Sequence, residues 1–176
     1  FRANPTFIKN KGRWCYSRES DIKKVLEFHE GCKIAVMAKV GTFRLADFKK
    51  KKESSIDMVR VILARTTHTS TGMISEYNKH DIKEARRICD GLIERGYEVC
   101  MNLGCGDLMN KREIKMVCEH FHDSKISALY LADTYGGFND KTTASQLHEF
   151  YRELRKYDSK LNFGFHSHAN NEDGFQ

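Results

Sequence analysis

The sequence predicts an α/β fold in which a parallel sheet is covered by helices. Three observations carry this. Short apolar runs rich in Val, Ile, Leu and Tyr alternate with segments of helical period along the chain. The runs are almost continuously apolar, as strands covered on both faces are. Their spacing approaches the roughly 30 residues of a strand–helix–strand unit. Two architectures fit this alternation, an open doubly wound sheet and a closed (β/α)8 barrel. No G-x-G-x-x-G follows a strand, so the dinucleotide-binding form of the open sheet has no positive support.

Each element follows from its pattern. Ile22, Val25, Leu26 and His29 form a helical stripe closed by Gly31. The first strand is "CKIAVMAKVG" (32–41), and a short helix closed by Lys49 to Lys52 is expected before the second, "IDMVRVILAR" (56–65). Ile82, Ala85, Cys89 and Leu92 keep the 3.6-residue period until Gly96 stops the helix. "YEVCMNLGC" (97–105) is the third strand, and Ile114, Val117, Cys118 and Phe121 form the next stripe. "ISALYLADTYGG" (126–137) is the fourth strand, Leu147, Phe150, Tyr151 and Leu154 the last helix, and "LNFGFHSHAN" (161–170) the fifth strand. The predicted order is αβαβαβαβαβ, with no solenoid repeat and no low-complexity linker.

Composition bounds the function classes. A length of 176 residues reads as one domain, 1–176, with 40% hydrophobic and 31% charged residues, ordinary values for a soluble globular protein. No apolar run approaches the roughly 20 residues that span a bilayer, so no membrane role is expected. The chain opens on Phe1, and "FRANPTFIKNKGRWC" lacks the apolar core of a signal peptide, which reads as part of a longer polypeptide. The net charge of +6 is modest; the lysine run reads as a solvated face, and no nucleic-acid partner is expected. Six cysteines without a C-x-x-C pair argue against a disulfide framework or a zinc site and point to a reduced, cytoplasmic protein.

In both architectures the chemistry sits at the carboxyl ends of the strands, and that is where the polar residues fall. The fourth run is apolar until Asp133 and Thr134, and the fifth until His166 and His168. The third delivers Asn102; the second carries Arg60 within it and Thr66, Thr67 and His68 at its end. Singly each has an ordinary explanation: a turn or cap for Asp-Thr, a satisfied amide for Asn102, a core carboxylate partner for Arg60. Their joint occurrence at corresponding strand ends is the signal.

His-x-His in "GFHSHANNEDG" (164–174) is the sharpest element. On a strand, residues i and i+2 share a face with Cα atoms roughly 6.5–7 Å apart, so two imidazoles can converge on a divalent ion that keeps open positions. His120 and His122 in "CEHFHDSK" have the same spacing in a helical context, where side chains two apart point about 200° away from each other. They serve as an internal control and should hold nothing together.

These residues resemble the H-x-H-x-N signature of the pyruvate-type metal-dependent lyases and aldolases, which include 4-hydroxy-2-oxovalerate aldolase and 3-hydroxy-3-methylglutaryl-CoA lyase. "YLADTYGG" is similar to that group's Asp-Ser/Thr-x-Gly segment on the sixth strand. "MVRVILARTT" and "YEVCMNLGC" resemble its fourth and fifth strands, and "FRANP" the tail of its second. The 4-hydroxy-2-oxovalerate aldolase branch reads most similarly. The resemblance implies a TIM barrel of which this chain holds about strands three to seven.

It further implies a divalent cation, Mn2+ or Mg2+, held by His166 and His168. Thr134, Asn102 and Arg60 would contact substrate, and Asp133 would support the site as a catalytic residue, with His68 the candidate base. The implied reaction cleaves a 4-hydroxy-2-oxo acid to pyruvate and an aldehyde through an enolate. A small 2-oxo acid is the implied partner; an acylating aldehyde dehydrogenase and a homo-oligomer are also allowed. A Claisen-type acyl-CoA synthase and a non-catalytic barrel scaffold are the alternative readings. The group's first-strand Asp-x-x-x-Arg-Asp-Gly, source of a third ligand and an arginine, is absent from this sequence, and "NEDG" at 171–174 stands in the wrong place to replace it.

Overall fold

The structure is a computed structural model that describes residues 18–27, 31–65, 73–138, 140–157 and 160–168. Its strands are β1 (Ala35–Lys39), β2 (Met58–Leu63), β3 (Glu98–Leu103), β4 (Ala128–Ala132) and β5 (Asn162–His166). Its helices are α1 (Glu19–Leu26), α2 (Lys79–Glu94), α3 (Lys111–Phe121) and α4 (Asp140–Arg155). Every neighbouring pair of strands is parallel, and the order across the sheet is the order along the chain, β1-β2-β3-β4-β5.

That order decides between the two predicted architectures. A doubly wound sheet reverses its strand order at a switch point, and this sheet never reverses. Five consecutive parallel strands, with an α-helix in each connection after β2, form an incomplete (β/α)8 barrel.

Strand alternation divides the sheet into two faces. Val59, Val61, Val99, Met101, Leu129 and Leu131 are nearly or wholly buried, and they pack with Ile82, Leu92, Ile114, Phe121, Phe150 and Leu154 of the helices in one continuous core. Truncating such a residue, Leu92→Ala for example, would cost about 2–5 kcal/mol through lost transfer energy and the cavity left behind. Two of the helices, α2 and α3, start at side-chain caps. Asn78 accepts a hydrogen bond from the Asp81 N–H at α2. Asn110 and Glu113 form a reciprocal capping box at α3. Gly96, at φ 93°, lets the chain leave α2 in the left-handed region that other residues avoid.

Three expectations need correction. No α-helix separates β1 from β2; the connection holds two 3-10 turns, Leu45–Asp47 and Lys51–Glu53, so the lysine run closes no helix. Side-chain anchoring explains the irregular path. A Cβ on Gly91 of α2 would stand 2.6 Å from Leu45 Cδ1. Phe48 meets the Tyr97 ring edge-on at 5.9 Å, and the Lys51 N–H bonds the Arg95 carbonyl at 2.8 Å. Second, Tyr151, whose spacing with Leu147, Phe150 and Leu154 places it on the apolar stripe expected to face the core, is 47% exposed on α4, and its ring lies beneath the Arg155 guanidinium. Third, β5 ends at His166, so His168 follows the strand instead of lying on it.

The helical control behaves as predicted. His120 Nδ1 lies 2.7 Å from the Met116 carbonyl one turn back, whereas the His122 ring stacks on Tyr157. Cys89, Cys100, Cys105 and Cys118 are buried free thiols and Cys32 an exposed one, with Cys15 outside the described residues. Among the described residues, no helix is long and apolar enough to cross a membrane.

Candidate active site at the carboxyl ends of the strands

The face opposite the helices carries the polar residues. Register sets them in layers: Arg60 is level with Cys100, Asn102 with Tyr130, Tyr130 with Gly164, and Ala132 with His166. Because alternate residues share a face, Arg60, Asn102, Tyr130, Gly164 and His166 all project from this side of the sheet.

The two histidines meet. Their ring centroids are 4.8 Å apart at an interplanar angle of 80°. His168 Nδ1 lies 3.2 Å from the Thr134 carbonyl oxygen. A carbonyl only accepts, so Nδ1 carries the proton and Nε2 of the neutral ring keeps its lone pair. That is the arrangement by which a partner fixes the tautomer of a ligating histidine. Burial, then the charge of Arg60, then that of His168, hold the pKa of His166 below the ordinary 6.5. Its ring therefore favours the neutral form that can donate a lone pair.

Beneath this pair, Arg60 Nη2 donates to Asn102 Oδ1 at 2.8 Å, and the guanidinium carbon lies 5.7 Å from the centre of the Tyr130 ring. Asn102 is 3% exposed, and its Nδ2 is buried with no acceptor among the described residues. A buried donor without an acceptor costs about 1–3 kcal/mol. The floor of the site therefore carries the half-buried positive charge of Arg60, with the unpaired Asn102 donor buried beside it, a polarity that suits an anionic oxygen.

Asp133 and Thr134 leave β4 in a tight turn. Asp133 is 2% exposed. Its Oδ1 accepts from the N–H groups of Gly137 at 2.7 Å and Phe138 at 3.3 Å, so the carboxylate holds its own turn. The Asp133 N–H bonds the His166 carbonyl at 2.9 Å, linking that turn to the histidine strand. Thr134 Oγ1 accepts from the Cys105 N–H at 2.8 Å, which commits one of its lone pairs to the loop after β3. His68 lies outside the described residues, as do Thr66 and Thr67.

Sequence reasoning missed two residues of this region. Tyr130 shares the face with Asn102, and the signal for it was its alternate position in a strand that ends just before Asp133. Asp107 follows β3, and its Oδ2 would stand 2.2 Å from a Cβ on Gly137. Burial first, then the nearby Asp133, raise its carboxyl pKa.

The residues present suit part of a cation's coordination shell. Two imidazole rings lie 4.8 Å apart, His168 turned by the Thr134 carbonyl and His166 favoured as neutral. Among the described residues, no group of three or more His, Cys, Asp or Glu side chains could hold a metal ion, so this pair alone does not complete a shell.

No protein-family model matches the chain. No curated protein matches it at significance. Solved structures do resemble it. The N-terminal domain of a protein described as an aldolase, from Bacteroides vulgatus, superposes with a TM-score of 0.66 at 20% identity, covering 98% of this chain and 52% of that one. The HMG-CoA lyase from Brucella melitensis gives 0.59 at 13% identity, covering 92% and 57%. Hydroxymethylglutaryl-CoA lyase from Pseudomonas aeruginosa gives 0.55 at 17%, covering 82% and 47%. At these identities the likeness is one of fold. The chain spans about half the length of the structures it matches.

Proposed function

We propose that this chain carries part of the active site of a divalent-metal-dependent carbon–carbon lyase, of the pyruvate-type lyase and aldolase superfamily, that cleaves a 4-hydroxy-2-oxo acid to pyruvate and an aldehyde. The observation that carries the reading is the pair of histidine rings, 4.8 Å apart, above a floor that carries the positive charge of Arg60. The barrel likeness to lyases and to a protein described as an aldolase is consistent with it.

His166 and His168 would hold the cation, Mn2+ or Mg2+, with other groups completing the shell. When bound, such an ion supplies a Lewis acid that draws electron density from a substrate carbonyl as the carbon–carbon bond breaks. The chain's own residues bind and orient. Arg60 and the Asn102 amide suit the carboxylate of a 2-oxo acid, a planar anion that a guanidinium recognises well. Asp133 fixes the turn that presents Thr134, and Thr134 fixes His168 through its carbonyl.

A second reading, cleavage of a 3-hydroxyacyl thioester, is favoured by the two neighbours named as HMG-CoA lyases. Both are retro-aldol cleavages and draw on the same pair of histidines. The test is to supply the full-length protein, loaded with Mn2+, with 4-hydroxy-2-oxopentanoate and separately with 3-hydroxy-3-methylglutaryl-CoA. Pyruvate release from the first, abolished by His166→Ala and unaffected by His120→Ala, supports the primary reading. Cleavage of the thioester alone selects the second, and cleavage of neither removes both.

A further inference from the structure

A buried cluster outside the proposed ligand set ends on one of its members. Arg65, two residues beyond β2, and Glu113, in the first turn of α3, pair at 2.8 Å with side chains only 2% and 1% exposed. The Glu113 carboxylate also accepts from the Tyr77 N–H at 2.6 Å and the Asn110 N–H at 2.9 Å. The Arg65 guanidinium lies 4.6 Å from the centre of the Tyr77 ring. Tyr77 is thus held by its backbone and by its ring face.

Its hydroxyl reaches two strand ends. Tyr77 Oη lies 2.6 Å from the Gly104 carbonyl and 2.9 Å from that of Leu63, so its single proton is shared between the ends of β3 and β2. Gly104 leads into Cys105, a non-glycine residue at φ 51°. The Cys105 N–H donates to Thr134 Oγ1 at 2.8 Å, and the Thr134 carbonyl accepts from His168 Nδ1 at 3.2 Å. Gly104 permits the approach, since a Cβ there would stand 3.3 Å from Thr134 Oγ1. A continuous chain of short contacts therefore runs from a buried ion pair to His168.

We propose that Tyr77, anchored by the Arg65–Glu113 pair, is a positioning residue that sets the orientation and tautomer of His168 through the Gly104–Cys105 loop and Thr134. The inference rests on the reading of His168 as a cation ligand only for its consequence, since the tautomer itself is a property of the metal-free chain. A buried ion pair is weak evidence for stability alone, and a left-handed non-glycine residue persists where its surroundings hold it. Here both lie on the path to a candidate ligand, the place where a fixed nitrogen lone pair has use.

The experiment records long-range proton–nitrogen spectra of the histidines in the metal-free full-length protein, with a parallel Mn2+ titration. The variants are Tyr77→Phe, Thr134→Val and Thr134→Ser, each checked for retained fold by circular dichroism. Wild type and Thr134→Ser should show His168 protonated at Nδ1. Tyr77→Phe and Thr134→Val should show mixed tautomers, with Mn2+ affinity about tenfold weaker, the scale of losing a partner behind a metal ligand. An unchanged His168 tautomer in the folded variants overturns the proposal. If Tyr77→Phe fails to fold, Arg65→Lys, which keeps the charge but removes the planar guanidinium from the Tyr77 ring, decides by the same criterion. A tautomer shift in a protein that binds no Mn2+ upholds the positioning chain and refutes the ligand reading instead.

Discussion

Tyr130 and Gly164 are a matched pair: a Cβ on Gly164 would lie 2.4 Å from Cε1 of the Tyr130 ring. The two residues are in register on β4 and β5, one layer below His166. The absence of a side chain on β5 is what lets an aromatic ring from β4 fill the floor beside Arg60.

Gly164→Ala should therefore displace the Tyr130 ring, because the contact is far inside the normal carbon–carbon separation. Overpacking of this kind costs about 1–3 kcal/mol. Combining it with Tyr130→Leu should recover most of the loss in urea denaturation. Equal destabilisation in the single and double variants would show that the ring is not the obstacle.

The second prediction concerns the buried ion pair. Glu113→Gln leaves Arg65 charged, with only 2% of its side chain exposed, and removing one partner of such a pair costs about 3–5 kcal/mol. Replacing both, as Arg65→Met with Glu113→Leu, should recover only part of that, because the Tyr77 and Asn110 N–H groups also lose their acceptor. Full recovery in the double variant would show that those two backbone bonds contribute little.

A third prediction follows from His166. Burial, the Arg60 charge and the His168 charge, in that order, lower its pKa in the folded chain. The unfolded chain binds that proton more readily, so this contribution to stability is fully present above about pH 6.5. It is lost as pH falls through the lowered folded value. In the metal-free protein, the His166 ring resonance should titrate below 6.5. Arg60→Met should move it only part of the way back, since burial is the larger cause. A complete return to the ordinary value would make Arg60, not burial, the dominant influence.

Much of the fold was legible because its signals are local. Five apolar runs and the Gly96 stop stand in the sequence as they stand in the structure, whereas the shared face of Arg60, Asn102 and His166 needs the register between strands as well as alternation within them. The β1–β2 connection was not legible, because its path is set by Leu45 against Gly91 and Phe48 against Tyr97, contacts between distant segments. The same holds for Tyr77. Asn110 and Glu113 have the spacing of a capping box, a signal visible in sequence, but nothing local tells that Glu113 also holds Arg65 and the Tyr77 backbone. His168 was placed by strand geometry and reaches His166 from beyond the strand, held by the Thr134 carbonyl.

The most direct test of the central claim counts imidazole nitrogens on the ion. Electron spin-echo envelope modulation of the Mn2+-loaded full-length protein should show two coordinated histidines, falling to one in His166→Ala and one in His168→Ala, and staying at two in His120→Ala. A wild-type signal without histidine nitrogen, or a count unchanged by His166→Ala and His168→Ala, would contradict the account.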